Sequence, residues 1–556
     1  MSTRTARADQ PALGFFAEDG GRNCRWLTFA ELFGRVVEVA AGLAGHGLAK
    51  GRVCLLVLPS GAFCAEVLLA VLQRGAVPLL IAAPTMKRLD ERLLGVLQHI
   101  VGSTDAVVMI CPLWMREHRE RLAGLGQGLR VLCGEDEVRQ AAAKVPPWEM
   151  PAADALGAMQ LTSGTTGAPR ICMWQQSSIL AALDGMTSVM QLRDGDVCCN
   201  WTPLYHDMGL VNNFLLCLST GVPLVMLSPH RFVGKPALWL QALSDTASTV
   251  TWAPNFGYAV TAERVEDADL DNVRLEAVRA FWNAAERIHA DTFERFHARF
   301  AHLGVAGTAL KANFGCAENV GGATFSAPGR AYVVERVDAA LLHAEGIAQV
   351  VDDAHDGATE TFVGCGGATP GSRVHILSGT GEELPDGQVG EVALKTPSRF
   401  LGYLGDDVST RRALHGDLLR TGDLGYRRGE ELFWTGRTDE RLTLRGRKFD
   451  PSDFEASLGA VEGLRQGCFA VFDVFSAVEG TQAVVLICEV RASSSRPAPD
   501  IRRDIRERIA LAFGIPVHEV LLVPERSLAK TTSGKRRHLH YKSIYRDHGT
   551  AGFETL

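Results

Sequence analysis

Apolar positions along the chain alternate between two periods, regularly enough to read as architecture. Leu27–Gly47 carries apolar residues at helical spacing, with Thr28 suited to cap the helix. Arg52–Pro59 (RVCLLVLP) is a short unbroken apolar run, the pattern of a strand buried on both faces. Helical spacing returns over Ala62–Gly75, and Ala76–Ile81 reads again as a strand. Such a β-α-β-α rhythm predicts a mostly parallel sheet with helices on its faces. Strand texture recurs at Ala106–Ile110, Val131–Cys133, Leu224–Leu227 and Thr249–Thr251.

From about Gly371 the pattern changes to short strands between turns: Arg373–Leu377, Gly390–Thr396 and Glu431–Trp434. A smaller β-rich subdomain is expected there. The last hundred or so residues read as a separate module. Cys468–Val474 and Gln482–Val490 can pair as strands, and Ser493–Pro499 is a loop by composition. Asp500 then caps an amphipathic helix to about Phe513, and Ser533–Lys542 is basic and contains glycine.

Composition narrows the class. At 556 residues, 46% hydrophobic and 22% charged, the chain is ordinary globular protein, long enough for two or more packed units. A net charge of −7 supplies no basic field to recruit nucleic acid or an anionic membrane. The thirteen cysteines are scattered without a C-x-x-C pair, and Cys198-Cys199 falls on an expected buried strand. Reduced core thiols in a cytoplasmic protein fit better than a disulfide framework or a zinc site. The start, MSTRTARADQ, lacks the apolar core of a signal peptide. The longest apolar runs are broken by Gln73-Arg74, Gly221 and Pro223, so no membrane span is expected.

One stretch stands out chemically. In MQLTSGTTGAPRICMW, Met159–Trp174, an apolar run gives way to Thr162, Ser163, Gly164, Thr165, Thr166 and Gly167, followed by Arg170. Glycines let backbone amides approach an oxyanion, hydroxyls add donors, and the cation adds charge, which is the chemistry of a phosphate cradle. The Walker spacing occurs nowhere; Gly234-Lys235 is followed by Pro236. Four other stretches bear on it: TPLYHDMGL (Thr202–Leu210), NFGCAEN (Asn313–Asn319), RTGDLGYRRGEELFWTGRTDE (Arg420–Glu440) and LAKTTSGKRRH (Leu528–His538). Singly, His206 reads as a strand-end histidine, Phe314 as core, Asp423 as a turn residue and Lys535 as one tail charge.

Jointly and in this order they resemble the acyl-adenylate-forming superfamily of acyl-CoA synthetases, luciferases, nonribosomal adenylation domains and fatty acyl-AMP ligases. The resemblance runs from about Leu27 to Lys535 and is most specific at LTSGTTGAPR, RTGDLG with the later GR-x-D, and SGK. PLYHDMGL, PNFGY (Pro254–Tyr258), FWNAAE (Phe281–Glu286) and VGCGGATPGSRVHIL (Val363–Leu377) are most similar to fatty acyl-AMP ligases.

The resemblance implies an α/β fold. A large N-terminal adenylation domain, residues 1–437, would contain mostly parallel sheets plus a β-rich subdomain. A small mobile C-terminal α+β domain, 438–556, would hinge at Asp439. It implies ATP and Mg²⁺, with Thr162–Gly167 and Arg170 on the phosphates and Thr165 and Glu318 at the metal. Ala284, Ala285, Asn313, Phe314 and Gly315 would surround the adenine, and Asp423 and Arg437 the ribose. His206 and Asp207 would border the reacting carboxylate, with Trp252, Pro254, Asn255, Phe256, Gly321 and Gly322 lining the acid. Lys535, with Glu318 and His206, would be catalytic, reaching the α-phosphate and the acyl oxygen. These roles suit a carboxylate attacking an α-phosphate, where catalysis is mostly positioning plus cationic stabilisation.

The implied reaction makes acyl-AMP and pyrophosphate, then transfers the acyl group to the phosphopantetheine thiol of an acyl carrier protein. The alternatives are an acyl- or aryl-CoA synthetase of the same fold and a non-catalytic nucleotide-binding homologue. Glu318, Asp423 and Lys535 are all intact, against the latter. In fatty acyl-AMP ligases an extra segment, here Ala327–Phe362, restrains the domain rotation that CoA ligation requires. The chain departs from that branch at Arg170 and Ile171 (usually Lys and Gly), at Ala284 (usually Gly), at Trp252-Ala253 (usually two glycines) and at Gly321-Gly322. Trp252 lies on an expected strand, where side chains alternate, so its indole points either into the core or into the acid pocket. Facing the pocket, it is expected to shorten it, with the glycine pair widening it near the carboxylate, favouring a short, branched or cyclic acid over a long fatty one.

Overall fold

The computed structural model describes residues 7–17, 21–84, 88–89, 91–140, 151–162, 169–444, 447–476, 481–531 and 536–556. Two sheets carry the large domain. One has nine strands, in the order Gly367–Ala368, Gly321–Phe325, Leu310–Cys316, Ala280–Asn283, Val250–Ala253, Cys198–Asn200, Leu224–Leu227, Pro11–Phe16 and Cys24–Thr28. The run from Leu310–Cys316 to Pro11–Phe16 is parallel, and its edges are antiparallel. The other has seven: Gly402–Tyr403, Ile171–Gln175, Leu156–Leu161, Val77–Leu80, Val53–Leu56, Val108–Cys111 and Arg130–Cys133. Helix Gln176–Met190 contacts Leu156–Leu161 and Ile171–Gln175 of one sheet and Gly321–Phe325 of the other, so it is packed between them.

The apolar rhythm of the sequence maps onto these elements. Arg52–Pro59 and Ala76–Ile81 contain the strands Val53–Leu56 and Val77–Leu80, buried at every position as both-face coverage requires. Helix Phe29–Gly45 starts where Thr28 directs. The Thr28 side chain accepts from the Glu31 N–H, and the Glu31 carboxylate accepts from the Thr28 N–H, a reciprocal capping box. All thirteen cysteines are free, and all but Cys24 and Cys316 are buried. Among the described residues no helix is long and apolar enough to cross a membrane.

The β-rich subdomain is a five-stranded antiparallel sheet built from Arg373–Leu377, Gly390–Lys395, Leu414–His415, Leu418–Arg428 and Glu431–Arg437. Beyond it, Leu464–Ser476 pairs antiparallel with Thr481–Val490, which pairs in parallel with Val517–Val523. Side chains alternate across this sheet. One face packs with Phe454, Ile501, Ile505 and Ile509, the other with Tyr541, and both cores draw only on residues from Leu442 onward. The expectation that Asp500 caps the helix is corrected. The helix is Ala498–Phe513, Pro497 is its cap residue, and Asp500 sits in the first turn, where its charge favours the exposed amides.

Two glycines of helix Phe29–Gly45 make a paired prediction. A Cβ on Gly42 would lie 1.8 Å from the Val138 carbonyl oxygen, whereas one on Gly34 meets nothing within 4 Å. Gly42→Ala should destabilise the protein by about 3 kcal/mol through overpacking, and Gly34→Ala should stabilise it by about 0.5–1 kcal/mol. Urea unfolding of both variants checks this, and equal shifts would contradict the packing described.

Candidate active site

The parallel strands of the nine-stranded sheet end together. His206, Pro254, Ala284 and Gly315 lie at or just beyond the carboxyl ends of Cys198–Asn200, Val250–Ala253, Ala280–Asn283 and Leu310–Cys316. In an open parallel sheet this is where ligands bind.

Glu318 sits on the short turn that follows Leu310–Cys316. Tyr403 Oη donates to Glu318 Oε1 at 2.6 Å, and the Arg170 guanidinium lies over the Tyr403 ring, 4.6 Å from its centroid. Burial and the neighbouring carboxylate push the Tyr403 phenol well above its usual range, so it remains a donor. The Arg170 carbonyl accepts from the Thr162 N–H at 2.9 Å and closes the base of the glycine-rich stretch. Ser163, Gly164, Thr165, Thr166, Gly167 and Lys535 lie outside the described residues.

Asp423 is buried on Leu418–Arg428, facing Arg437 across the antiparallel pair. Its Oδ1 accepts from Trp434 Nε1 at 3.1 Å and lies 3.4 Å from Arg437 Nη1, while Arg437 Nε reaches Asp439 Oδ1 at 3.3 Å. Asp423 holds the guanidinium firmly charged, against the pull of burial. The two ribose-side residues and the expected hinge are therefore one chain of contacts.

His206 Nδ1 lies 2.7 Å from Asp207 Oδ1 and 3.2 Å from the Met208 N–H. Asp207 Oδ1 takes that N–H at the shorter distance of 2.8 Å. Nδ1–H donating to Asp207 is the arrangement that satisfies all three groups, and it leaves the Nε2 lone pair as the imidazole's acceptor. A π-helical turn, Leu210–Leu215, follows directly.

Two substrate-lining expectations are changed by the structure. Asn255 is buried and bridges protein groups: Oδ1 accepts from Asn283 Nδ2 at 3.1 Å and the His289 N–H at 3.2 Å, and Nδ2 donates to Thr292 Oγ1 at 3.3 Å. The Phe256 N–H donates to Glu286 Oε1 at 2.7 Å, so this loop clasps the adenine-side loop. Gly321 and Gly322 do not open space near the carboxylate. A Cβ on Gly321 would lie 2.5 Å from Asn212 Oδ1, and one on Gly322 2.4 Å from Phe325 Cζ, because neighbouring side chains already fill the room. Trp252 is fully buried, stacked on Trp282 with Phe325 edge-on. Asn313 Nδ2 is tied to the Thr324 carbonyl at 2.5 Å, Gly315 pairs with Gly322, and Phe314 is buried in the large core.

Two of the seven positive-φ non-glycine residues among the described residues fall at the same place. Ala285 and Val320 are non-glycine residues with φ of +74° and +52°, the latter β-branched. Ala285 is one of the expected adenine-side residues, and Val320 lies two residues past Glu318.

Arg287, two residues past Ala285, ties this loop to the small domain. It is buried, pairs with Asp453, lies 3.7 Å from Glu360 Oε2 and donates to Ser452 Oγ at 3.0 Å. His343 packs its ring 4.3 Å from Phe449. Tyr403, Trp434, Glu286 and Arg287 escaped the sequence reading. Each is a lone residue without a spacing signature, although Glu286 closes the quoted FWNAAE stretch and Trp434 lies within the quoted Arg420–Glu440 stretch.

Comparison with known proteins agrees with this geometry. The family described as AMP-binding enzyme matches residues 3–404. A 4-hydroxyphenylalkanoate adenylyltransferase of Mycobacterium marinum is 28% identical, over 94% of this chain and 86% of its own. The medium-chain-fatty-acid–[acyl-carrier-protein] ligase JamA of Moorena producens is 26% identical, over 94% and 90%. A structure from work on fatty acyl-adenylate ligases of E. coli and L. pneumophila superposes with a TM-score of 0.90 at 27% identity, covering 99% of this chain and 98% of that one. Parallel-strand ends, a carboxylate fixed by a tyrosine and a buried Asp–Arg pair thus meet in a chain that belongs to the AMP-binding enzyme family, the ATP-using, AMP-forming ligases.

Proposed function

We propose that the protein activates a carboxylic acid with ATP, forming acyl-AMP and pyrophosphate, and passes the acyl group to the phosphopantetheine thiol of an acyl carrier protein. The observation that carries this reading is the Arg170–Tyr403–Glu318 group beside the Thr162–Arg170 base of the glycine-rich stretch. It sets a cation and an oriented carboxylate where phosphates and their metal would lie. Relatives whose names specify hydroxyphenylalkanoate adenylation and acyl-carrier-protein ligation support it.

Glu318, with Thr165, would hold Mg²⁺. A carboxylate with one oxygen positioned by a tyrosine is a suitable hard donor, and the ion would supply charge neutralisation for the departing pyrophosphate. Asp423 would accept from the ribose hydroxyls, with Arg437 setting its orientation. Phe314, Ala284 and Ala285 would border the base, His206 would face the reacting carboxylate, and Lys535 would stabilise charge on the α-phosphate and acyl oxygen. The large domain would end at residue 437, and rotation about Asp439 would exchange the groups serving the two half-reactions.

The segment Ala327–Phe362 supports the carrier protein over free CoA as acceptor. Its strand Thr359–Val363 and helix Ala339–Glu345 carry Glu360 and His343 into contact with Arg287 and Phe449, so it braces the small domain.

Four sets of outcomes are expected. Glu318→Gln should raise the Mg²⁺ concentration needed for half-maximal pyrophosphate exchange by about tenfold or more, a neutral amide being a poorer ligand. Tyr403→Phe should do so by less, and unchanged Mg²⁺ dependence in both would remove Glu318 from the metal site. Lys535→Ala should lower acid-dependent exchange by at least about a hundredfold while ATP binding persists; wild-type exchange would make it an ordinary surface lysine. Asp439→Pro, by fixing φ, should slow acyl transfer to carrier protein more than adenylation. In the wild type, CoA should be a far poorer acceptor than the carrier, and acyl-CoA formation as fast as adenylation would identify a CoA ligase.

A further inference from the structure

Trp252 and Trp282 stand opposite each other on neighbouring parallel strands. Their rings stack with centroids 5.4 Å apart and planes 23° apart, and Phe325 meets both edge-on at 6.0 and 5.3 Å. The indoles are 0% and 2% exposed, and neither Nε1–H has an acceptor among the described residues.

Buried indole N–H groups ordinarily find partners. In this protein Trp174 donates to the Ala317 carbonyl at 2.7 Å, Trp239 to Thr251 Oγ1 at 2.9 Å and Trp434 to Asp423 at 3.1 Å. Trp201 Nε1 also lacks one, but that ring stacks on Phe232 beside Trp239. Trp239 bonds Thr251, whose side chain projects from the sheet face opposite Trp252. Two unmet donors sharing one face, side by side, are a different matter.

Their position is also informative. Trp252 and Trp282 precede Pro254 and Ala284, the residues just beyond the strand ends where the adenylate would sit, by two residues or about 7 Å. Phe325 fills the room over Gly322, whose N–H donates to Asn212 Oδ1 at 3.2 Å. Asn212 belongs to the π-helical turn that follows His206, a type of distortion frequent at functional sites. The aromatic group is thus joined contact by contact to the wall carrying the imidazole. Small-molecule pockets combine apolar and aromatic side chains with a few placed polar groups, and this buried group holds both, apolar rings and two indole N–H groups without a protein acceptor among the described residues.

We propose that Trp252 and Trp282 form the specificity floor of the acid site. Their rings offer a flat wall to a short or ring-shaped acid, and their Nε1–H groups donate to an oxygen acceptor at the end of the acid remote from its carboxylate. This rests on the adenylation reading above. An acid lacking that oxygen leaves the buried donors unmet, and sites built to bond a substrate oxygen reject such analogues strongly.

The test is acid-dependent pyrophosphate exchange by the full chain with matched acids: 3-phenylpropanoate, its 4-hydroxy and 4-methoxy derivatives, octanoate, 7-oxooctanoate and dodecanoate. At least one oxygenated acid should exceed its unoxygenated partner by about tenfold or more in kcat/KM. Trp252→Phe and Trp282→Phe, which keep an aromatic ring and remove the donor, should each pull that ratio toward one. The ratio is read rather than the absolute rate, because general damage to packing lowers both members together. Should Trp282→Phe fail to fold, the wild-type panel and Trp252→Phe decide. Equal use of matched acids, a ratio unmoved by the folded variants, or dodecanoate as the best acid overturns the proposal while leaving adenylation standing. Exchange with none of the acids overturns the adenylation reading itself and this proposal with it.

Discussion

The two sheets of the large domain are stitched together at the turn that bears Glu318, and the rest of the site takes its geometry from that seam. Tyr403 belongs to the edge of the seven-stranded sheet, and Glu318 follows a strand of the nine-stranded one. Their 2.6 Å hydrogen bond crosses between sheets, accompanied by the Phe400 N–H to the Glu318 carbonyl at 2.8 Å and Trp174 Nε1 to the Ala317 carbonyl at 2.7 Å. A hydrogen bond to a carboxylate is stronger than one between neutral groups. Here it orients a potential metal ligand while holding the cation-bearing end of the glycine-rich stretch, through Arg170, against the same ring.

A second seam joins the adenine side to the small domain. Arg287 could not remain buried alone; desolvation would cost too much without Asp453 and Glu360 beside it. Such pairs add little net stability compared with apolar packing, but breaking one leaves a buried charge unmet. Their effect is therefore directional: they favour one relative placement of the domains. Arg287, Glu360 and Asp453 come from three separate parts of the chain, so the placement exists only once all three are folded.

The substrate region shows why local glycine content is a poor guide to pocket volume. Gly321 and Gly322 are small because Asn212 and Phe325 approach their backbone closely, and nothing is gained in width. In the proposed acid site, size would instead be set by large side chains on one sheet face, where Trp252, Trp282 and Phe325 pack together.

The sequence by itself determined the elements and the family. Buried parallel strands are continuous apolar runs, a capping box is local chemistry, and motif order along the chain is one-dimensional information, so Arg52–Pro59, Thr28 and the Glu318, Asp423 and Arg170 positions were legible. Gln482–Val490 and Cys468–Val474 were recognisable as partners because a hairpin is nearly local. Only the tertiary structure decided what each side chain meets. Asn255 was expected at the substrate and is occupied with Asn283, His289 and Thr292. Tyr403, at a separation of 85 residues from Glu318, carried no signal at all. The same holds for the stacked indoles, since register between Val250–Ala253 and Ala280–Asn283 fixes their meeting. Hydrogen bonds and ring contacts between distant segments depend on distances of a few ångströms, which residue order leaves open until the sheets and helices have packed.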